Sequence, residues 1–433
     1  MKTHLLTALI ASLLCLPTLA QVTYSPSADN LNNRREFQDD KFGIFIHFGV
    51  YSMMADGEWV MENKHINYQE YAKLAGGFCP ANFDAAQWVE AIKASGAKYV
   101  CFTSRHHDGF SMFGSKHSDY NIVKATPFGR DLLKELSQEC EKQGIKLHLY
   151  YSLIDWYRDD YLPLGGTGRQ TGRPGKGEWA TYFKFMNDQL TELLTDYGKI
   201  RAVWFDGKWD QAGNPDFNWQ FEEMYANIHA INDGCLIGNN HHESPYPGED
   251  IQIFERDLPG ENNAGMSGQD ISPLPLETCE TMNGMWGYKI TDQNYKSARQ
   301  LIHYIVKAAG RNANLLMNIG PQPDGSLPST SVQRLKEVGE WMSVYGESIY
   351  GTRGGRVTPR SWGVTTEKDG KIFVHILDLQ DDCLFLPITD IKVKRAAYFN
   401  SSKTVTFRQD KRGVLLQLDE VPTDTDCVIL LDY

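Results

Sequence analysis

Seven residues, Arg201-Ala202-Val203-Trp204-Phe205-Asp206-Gly207, carry the pattern that constrains the chain most. An apolar run of strand length ends in a carboxylate, and a glycine then releases the backbone into a turn. The pattern recurs. Strand-like runs at 43–49, 98–103, 146–151, 201–206, 235–238, 251–255, 277–282 and 314–319 end at or beside polar side chains. Between several of them, the segments 82–95, 130–143, 179–196, 219–231, 294–309 and 332–345 follow helical spacing. In the first of these, Phe83, Trp88 and Ile92 fall on one side. Eight strands interleaved with helices predict a (β/α)8 TIM-like barrel. A carboxylate at the carboxyl end of a buried parallel strand then lies on the face where such barrels carry their chemistry. Taken alone, Asp206 is equally readable as a turn cap.

The pattern changes after Gly346. Alternating runs at 372–376, 395–399, 414–418 and 427–431, punctuated by Gly, Asp and Asn, predict a C-terminal antiparallel β-sandwich. At the other end, Lys2, an apolar run over 5–16 and Thr18-Leu19-Ala20 before Gln21 read as a signal peptide. The expected organisation is therefore a signal peptide at 1–20, a catalytic barrel at 21–350 and a sandwich at 351–433. The expected location is outside the cytoplasm, periplasmic or extracellular.

Composition narrows the partners. A net charge of −12 and a pI near 5.5 argue against nucleic acid and anionic membrane surfaces. No later segment is apolar for long enough to insert into a bilayer. Removing Cys15 with the leader leaves seven cysteines with no paired spacing, neither a disulfide framework nor a CxxC zinc site. Ten Trp, 21 Tyr and 20 Phe supply flat faces on which a sugar ring can pack.

In a barrel the polar strand ends converge. They bring together His47, Arg105-His106-His107-Asp108, Tyr151-Ser152, Asp206, Asn239-Asn240-His241-His242, Glu255-Arg256 and Glu277. Two chemistries fit. One is metal-assisted hydrolysis with His47, His106, His107, His241 and His242 as ligands, although no HxH or HExxH spacing is present. The other is glycoside hydrolysis by a carboxylate pair, with imidazoles bonding sugar hydroxyls.

Several segments together resemble the α-L-fucosidases of glycoside hydrolase family 29, over nearly the whole mature chain. They are Gly43-Ile44-Phe45-Ile46-His47-Phe48-Gly49, Ser104-Arg105-His106-His107-Asp108-Gly109-Phe110, Tyr150-Tyr151-Ser152-Leu153-Ile154-Asp155-Trp156, Trp204-Phe205-Asp206-Gly207, Trp286-Gly287-Tyr288 and Asn314-Leu315-Leu316-Met317-Asn318-Ile319-Gly320-Pro321. The resemblance implies a retaining exo-glycosidase that takes fucosylated oligosaccharides or glycoconjugates and needs no cofactor. It implies that Asp206 is the nucleophile. It also implies that His47, Glu58, Trp59, His106, His107, Tyr151, Trp204 and Trp286 line the fucose subsite, with Trp286 facing the C5 methyl. Two glutamates compete as general acid/base. Glu255, ending Asp250-Ile251-Gln252-Ile253-Phe254-Glu255, is preferred to Glu277, and Glu280 ranks behind both. Phe254 is the expected apolar neighbour of Glu255. The rival readings are a glycosidase of this fold acting on a related sugar such as an α-L-galactoside, and a fucose-binding protein without hydrolytic activity.

Overall fold

The computed structural model describes residues 24–433; the predicted signal peptide at 1–20 lies outside them. Eight strands form one parallel sheet: β1 (Phe42–Ile46), β2 (Tyr99–Arg105), β3 (Lys146–Ser152), β4 (Ile200–Asp206), β5 (Leu236–Asn240), β6 (Gln252–Glu255), β7 (Leu276–Thr281) and β8 (Ala313–Ile319). Their order is β5-β4-β3-β2-β1-β8-β7-β6. A parallel bridge from Gly238 to Ile251 brings the first and last strands together and closes the barrel. The Asp250 carboxylate braces this seam by accepting from the Ile237 amide at 2.8 Å.

Side chains alternate across each strand. Phe45, Tyr99, Cys101, Tyr150, Ala202, Trp204, Ile253, Cys279 and Leu316 fill the barrel lumen. Their neighbours Ile44, Val100, Leu149, Tyr151, Val203, Phe205 and Phe254 face the surrounding helices. The helix Ala28–Asp40 closes the amino-terminal end of the barrel. Its Phe37 enters the lumen against Tyr99 and His148, and its carbonyl accepts from the Asn314 amide.

Helices Ala85–Ala94, Leu132–Gln143, Trp179–Asp196, Phe221–Ile231, Ala298–Gly310 and Ser329–Tyr345 wrap the barrel, close to the six helical segments expected from spacing. Among the described residues the β5–β6 and β6–β7 connections carry no helix. That quarter of the barrel is covered by irregular chain.

The chain then forms β9 (Arg353–Gly354), β10 (Gly363–Lys368), β11 (Lys371–Ile376), β12 (Cys383–Leu386), β13 (Arg395–Tyr398), β14 (Thr406–Asp410), β15 (Gly413–Gln417) and β16 (Cys427–Asp432). They make antiparallel sheets ordered β13-β16-β11-β10-β9 and β12-β15-β14. Ile372, Val374, Ile429 and Leu431 of one pack against Leu384, Leu386, Val414 and Leu416 of the other, which is the sandwich expected from the sequence. The sandwich docks on the helix Ala298–Gly310. Val364 lies so close to Gly310 that a Cβ there would come within 2.4 Å of the valine Cβ.

Candidate active site

The carboxyl ends of the strands surround a cavity of about 310 Å³. Phe45, His47, Glu58, Trp59, His106, His107, Tyr150, Trp204, Asp206, Trp209, Asn240, His242, Glu255, Met266 and Trp286 line it. Polar and ionisable side chains converging among aromatic rings in a concave wall mark a small-molecule site.

Asp206 is the last residue of β4 and keeps the inward phase of Ala202 and Trp204. Gly207 follows at φ 104°, a left-handed conformation that lets the chain turn sharply; a Cβ there would strike Ile154. Three donors hold the Asp206 carboxylate: the Tyr150 hydroxyl at 3.0 Å, the Trp209 indole at 3.3 Å and the Asn240 amide at 3.4 Å. The same Asn240 amide nitrogen donates to Glu255 Oε2 at 2.8 Å. One side chain therefore joins the two carboxyl groups. Burial, followed by the nearby negative charge of Glu255, pushes Asp206 up to about 7.

Glu255 ends β6, one alternation step above Ile253. Arg256 turns away at φ 58°. Its guanidinium lies 5.0 Å from the centre of the Trp286 ring and 3.8 Å from Glu280, so it does not pair with Glu255. Phe254 faces the helices, on the opposite side of the strand from Glu255, contrary to expectation.

His47 and His107 present their rings from the ends of β1 and β2. Burial holds both down to about 3, so they are neutral near pH 7. His106 is held well below its ordinary value by burial, and its ring stacks on Tyr150. Glu58 is a buried part of the wall and accepts from the Gly287 amide at 2.7 Å. Burial raises its carboxyl above the usual range. Trp59 stacks on Trp209 at 5.7 Å, and Trp286 stands 6.0 Å from Phe45 as an apolar wall.

The cavity therefore gathers Asp206, Glu255, His47, Glu58, Trp59, His106, His107, Trp204 and Trp286, all singled out from sequence. Two others fall outside it. Tyr151 is a correction: it points to the helices and donates to Gln189 at 2.8 Å. Its neighbour Tyr150 takes the inward place, because Leu147, Leu149 and Tyr151 share the outward phase of β3. Glu277 is the second. It lies within the barrel below the cavity, accepting from the Tyr99 hydroxyl at 2.6 Å and the Trp204 indole at 3.0 Å. Those two donors occupy both its oxygens, so it braces Trp204 from beneath. Glu280 caps Thr281 from its own backbone neighbourhood and is likewise absent from the lining.

Sequence reasoning missed Phe45, Tyr150, Trp209 and Met266. The alternation of leucines in β3 carried a signal for Tyr150; Trp209 and Met266 reach the cavity from loops, where no period applies. Of the five histidines in the metal reading, His47, His106, His107 and His242 line the cavity. His241 turns out of the cavity to Glu249 at 3.1 Å. Among the described residues, the one group of three metal-type ligand atoms close together is Asp381, Asp382 and Cys383, partly exposed in the sandwich.

Comparison with known proteins identifies what this architecture belongs to. Residues 13–347 match the family model described as Alpha-L-fucosidase. Plasma alpha-L-fucosidase of Rattus norvegicus is 30% identical over 92% of this chain and 90% of its own length. Alpha-L-fucosidase of Dictyostelium discoideum is 29% identical over 86% of this chain and 84% of its own. Among solved structures, alpha-L-fucosidase isoenzyme 1 of Paenibacillus thiaminolyticus superposes with a TM-score of 0.83 at 32% identity, covering 93% of this chain and 99% of that one. Alpha-L-fucosidase of Vibrio sp. strain EJY3 gives 0.83 at 26% identity, covering 94% and 73%.

Proposed function

This chain belongs to the α-L-fucosidase family and is a glycoside hydrolase of that class (EC 3.2.1.51); from that premise we propose that it removes terminal α-L-fucose from fucosylated glycans with retention of configuration. Asp206 is the nucleophile and Glu255 the general acid/base. In the first step an Asp206 oxygen bonds to the anomeric carbon while the glycosidic C–O bond breaks. Glu255 gives its proton to the departing oxygen. In the second step Glu255 takes a proton from water, the water oxygen bonds to the anomeric carbon, and the Asp206 ester bond breaks.

The observation that carries this reading is the shared amide of Asn240. Its contacts of 3.4 and 2.8 Å keep the facing oxygens of Asp206 and Glu255 within about 6 Å of each other. That fits the roughly 5–5.5 Å spacing of a retaining pair better than the roughly 6.5–9.5 Å that an inverting pair needs for its water. The position of Glu277, bonded to Tyr99 and Trp204 below the cavity, supports Glu255 as the acid/base. Phe45 and Trp286 offer the apolar surface that a C5 methyl needs.

The test is azide rescue on 4-nitrophenyl α-L-fucoside. Asp206→Ala should lose orders of magnitude in turnover and regain it with azide as β-fucosyl azide. Glu255→Ala should be rescued to α-fucosyl azide, because azide then attacks the fucosyl-enzyme ester. Identical azide stereochemistry from both variants, or rescue of Glu277→Ala in place of Glu255→Ala, would overturn the assignment.

We further propose export, from the leader-like segment 1–20. The mature protein, recovered from outside the cytoplasm, should begin at Gln21. A protein retaining Met1 in the cytoplasmic fraction would rule this out. No described helix is long and apolar enough to cross a membrane.

A further inference from the structure

His47 and His107 each engage the protein through Nδ1, and in each case the partner's own bonds decide which atom carries the proton. Asn318 Nδ2 donates to the Trp286 carbonyl at 2.7 Å. A carbonyl only accepts, so the Asn318 amide cannot be turned round. Its Oδ1, 2.7 Å from His47 Nδ1, is then an acceptor, and His47 Nδ1 must carry hydrogen. At His107 the partner is Ser152 Oγ, 2.7 Å away. That hydroxyl has one hydrogen. The Ile154 carbonyl at 2.8 Å can only accept it, while the Ile154 amide at 3.0 Å donates to the same oxygen. Ser152 therefore has no hydrogen left for His107, and His107 Nδ1 donates to it. On the cavity side, His107 Nε2 stands 3.6 Å from Asp206 Oδ2, too far for a hydrogen bond that would retain a proton there.

We propose that Ser152 and Asn318 are positioning residues that lock His107 and His47 in the Nδ1–H form, so that both Nε2 atoms face the sugar as lone pairs. Neither residue lines the cavity. The consequence is a pair of acceptors on the cavity wall, two imidazole lone pairs beside the Asp206 carboxylate that catalysis requires. Such a pair receives hydrogens from the hydroxyls of a neutral sugar. It opposes a carboxylate or sulfate group, which has no hydrogen to give and whose charge meets the Asp206 carboxyl. The substrate class is thus a neutral polyhydroxy ring. His106 differs, since its buried Nδ1 has no hydrogen-bond partner. Its tautomer is left to the ligand.

The inference extends the α-L-fucosidase reading, but its decisive test does not depend on it. With ¹⁵N-labelled histidine, two-bond ¹H–¹⁵N spectra of the full chain near pH 7 report which ring nitrogen is protonated. His47→Gln and His107→Gln assign the two signals by their disappearance. The expected wild-type pattern is protonated Nδ1 and bare Nε2 for both. Finding Nε2–H on either ring overturns the proposal for that ring.

Ser152→Ala should move the His107 signal toward a tautomer mixture and weaken L-fucose binding about tenfold, read by tryptophan fluorescence. Ser152→Thr, which keeps the hydroxyl, should restore both. An unchanged His107 tautomer in Ser152→Ala refutes the positioning role even if affinity falls. Should Ser152→Ala fail to fold, the wild-type spectrum still decides. If the wild-type tautomers are as expected and L-fucose does not bind, the tautomer lock stands and the functional reading fails.

Discussion

Asp206 shows how one side chain is set by opposing effects. Burial and the Glu255 charge raise its pKa, while Tyr150, Trp209 and Asn240 bond the ionised form and lower it. As nucleophile it must be ionised, so kcat/KM on an aryl fucoside should fall on the acid side through about pH 7. Glu255→Gln removes the like charge and should move that limb to lower pH. An aryl leaving group departs without a proton, so the first step can still be followed. A limb that stays in place would show that the two carboxyls do not sense each other. His47 and His107, held down to about 3 by burial, should add no limb between pH 5 and 8.

The same residue makes a stability prediction. An Asp in the unfolded chain ionises near 3.8, and Asp206 in the folded protein near about 7. Below the lower value neither state is charged, and folding loses nothing. As pH rises between the two, the unfolded chain gives up its proton first, so stability falls until the folded value is passed. Asp206→Asn removes that loss. Its gain in thermal stability over wild type should be larger at pH 8 than at pH 4, reaching about 1–3 kcal/mol at the higher pH. Equal gains at both pH values would mean that the carboxyl is not held up by the fold.

At the scale of an element, β3 illustrates the force of the two-residue period. Adjacent tyrosines on one strand have opposite fates: Tyr150 bonds Asp206 and Tyr151 bonds Gln189. Tyr150→Phe removes a bond that lowers the Asp206 pKa, so its acid limb should move to higher pH and kcat/KM should fall by about tenfold or more. Tyr151→Phe should leave kcat/KM unchanged and lower stability by about 1 kcal/mol, the usual worth of a buried hydrogen bond. If Tyr151→Phe were the variant that loses activity, the strand would be wrongly phased.

Depth along the strands works the same way for the glutamates. Glu277 pairs in register with Ile253, and Glu255 with Cys279, so Glu277 sits two residues nearer the closed end of the barrel. At about 3.3 Å per residue that is roughly 6–7 Å below Glu255. A carboxyl at that depth meets Tyr99 and Trp204, while one at the strand end meets the cavity. The strand ends were visible in the sequence, and with them the placement of Asp206, His47 and Glu255. The seventh strand expected at 277–282 begins one residue after β7 does, so the two glutamates competed because the family resemblance offered each of them as acid/base, not because the strand was misplaced.

In the whole molecule, the barrel rests on a plug at one end and a sandwich at its side. The junction is tight at Gly310, where Val364 leaves no room for a side chain. Gly310→Ala should lower stability by about 1–3 kcal/mol through overpacking, with the KM for aryl fucoside unchanged, since the cavity lies at the other end of the strands. Thermal unfolding and steady-state kinetics on the same preparation check both parts. A changed KM would show that the sandwich reaches the site.

The sequence by itself determined the local rules: which runs are strands, which are helices, which ends carry polar groups, and that a sandwich follows the barrel. Those follow from the period of apolar residues and from glycine at turns, and they need only neighbours along the chain. Only the tertiary structure decided that Tyr99 and Trp204 occupy both oxygens of Glu277, that Asn240 joins the two carboxyls, and that Trp209 and Met266 arrive from loops. Each of these depends on register between strands that are distant in sequence and on loops that follow no period. Hydrogen bonds across the barrel fix them, and no local pattern records those bonds.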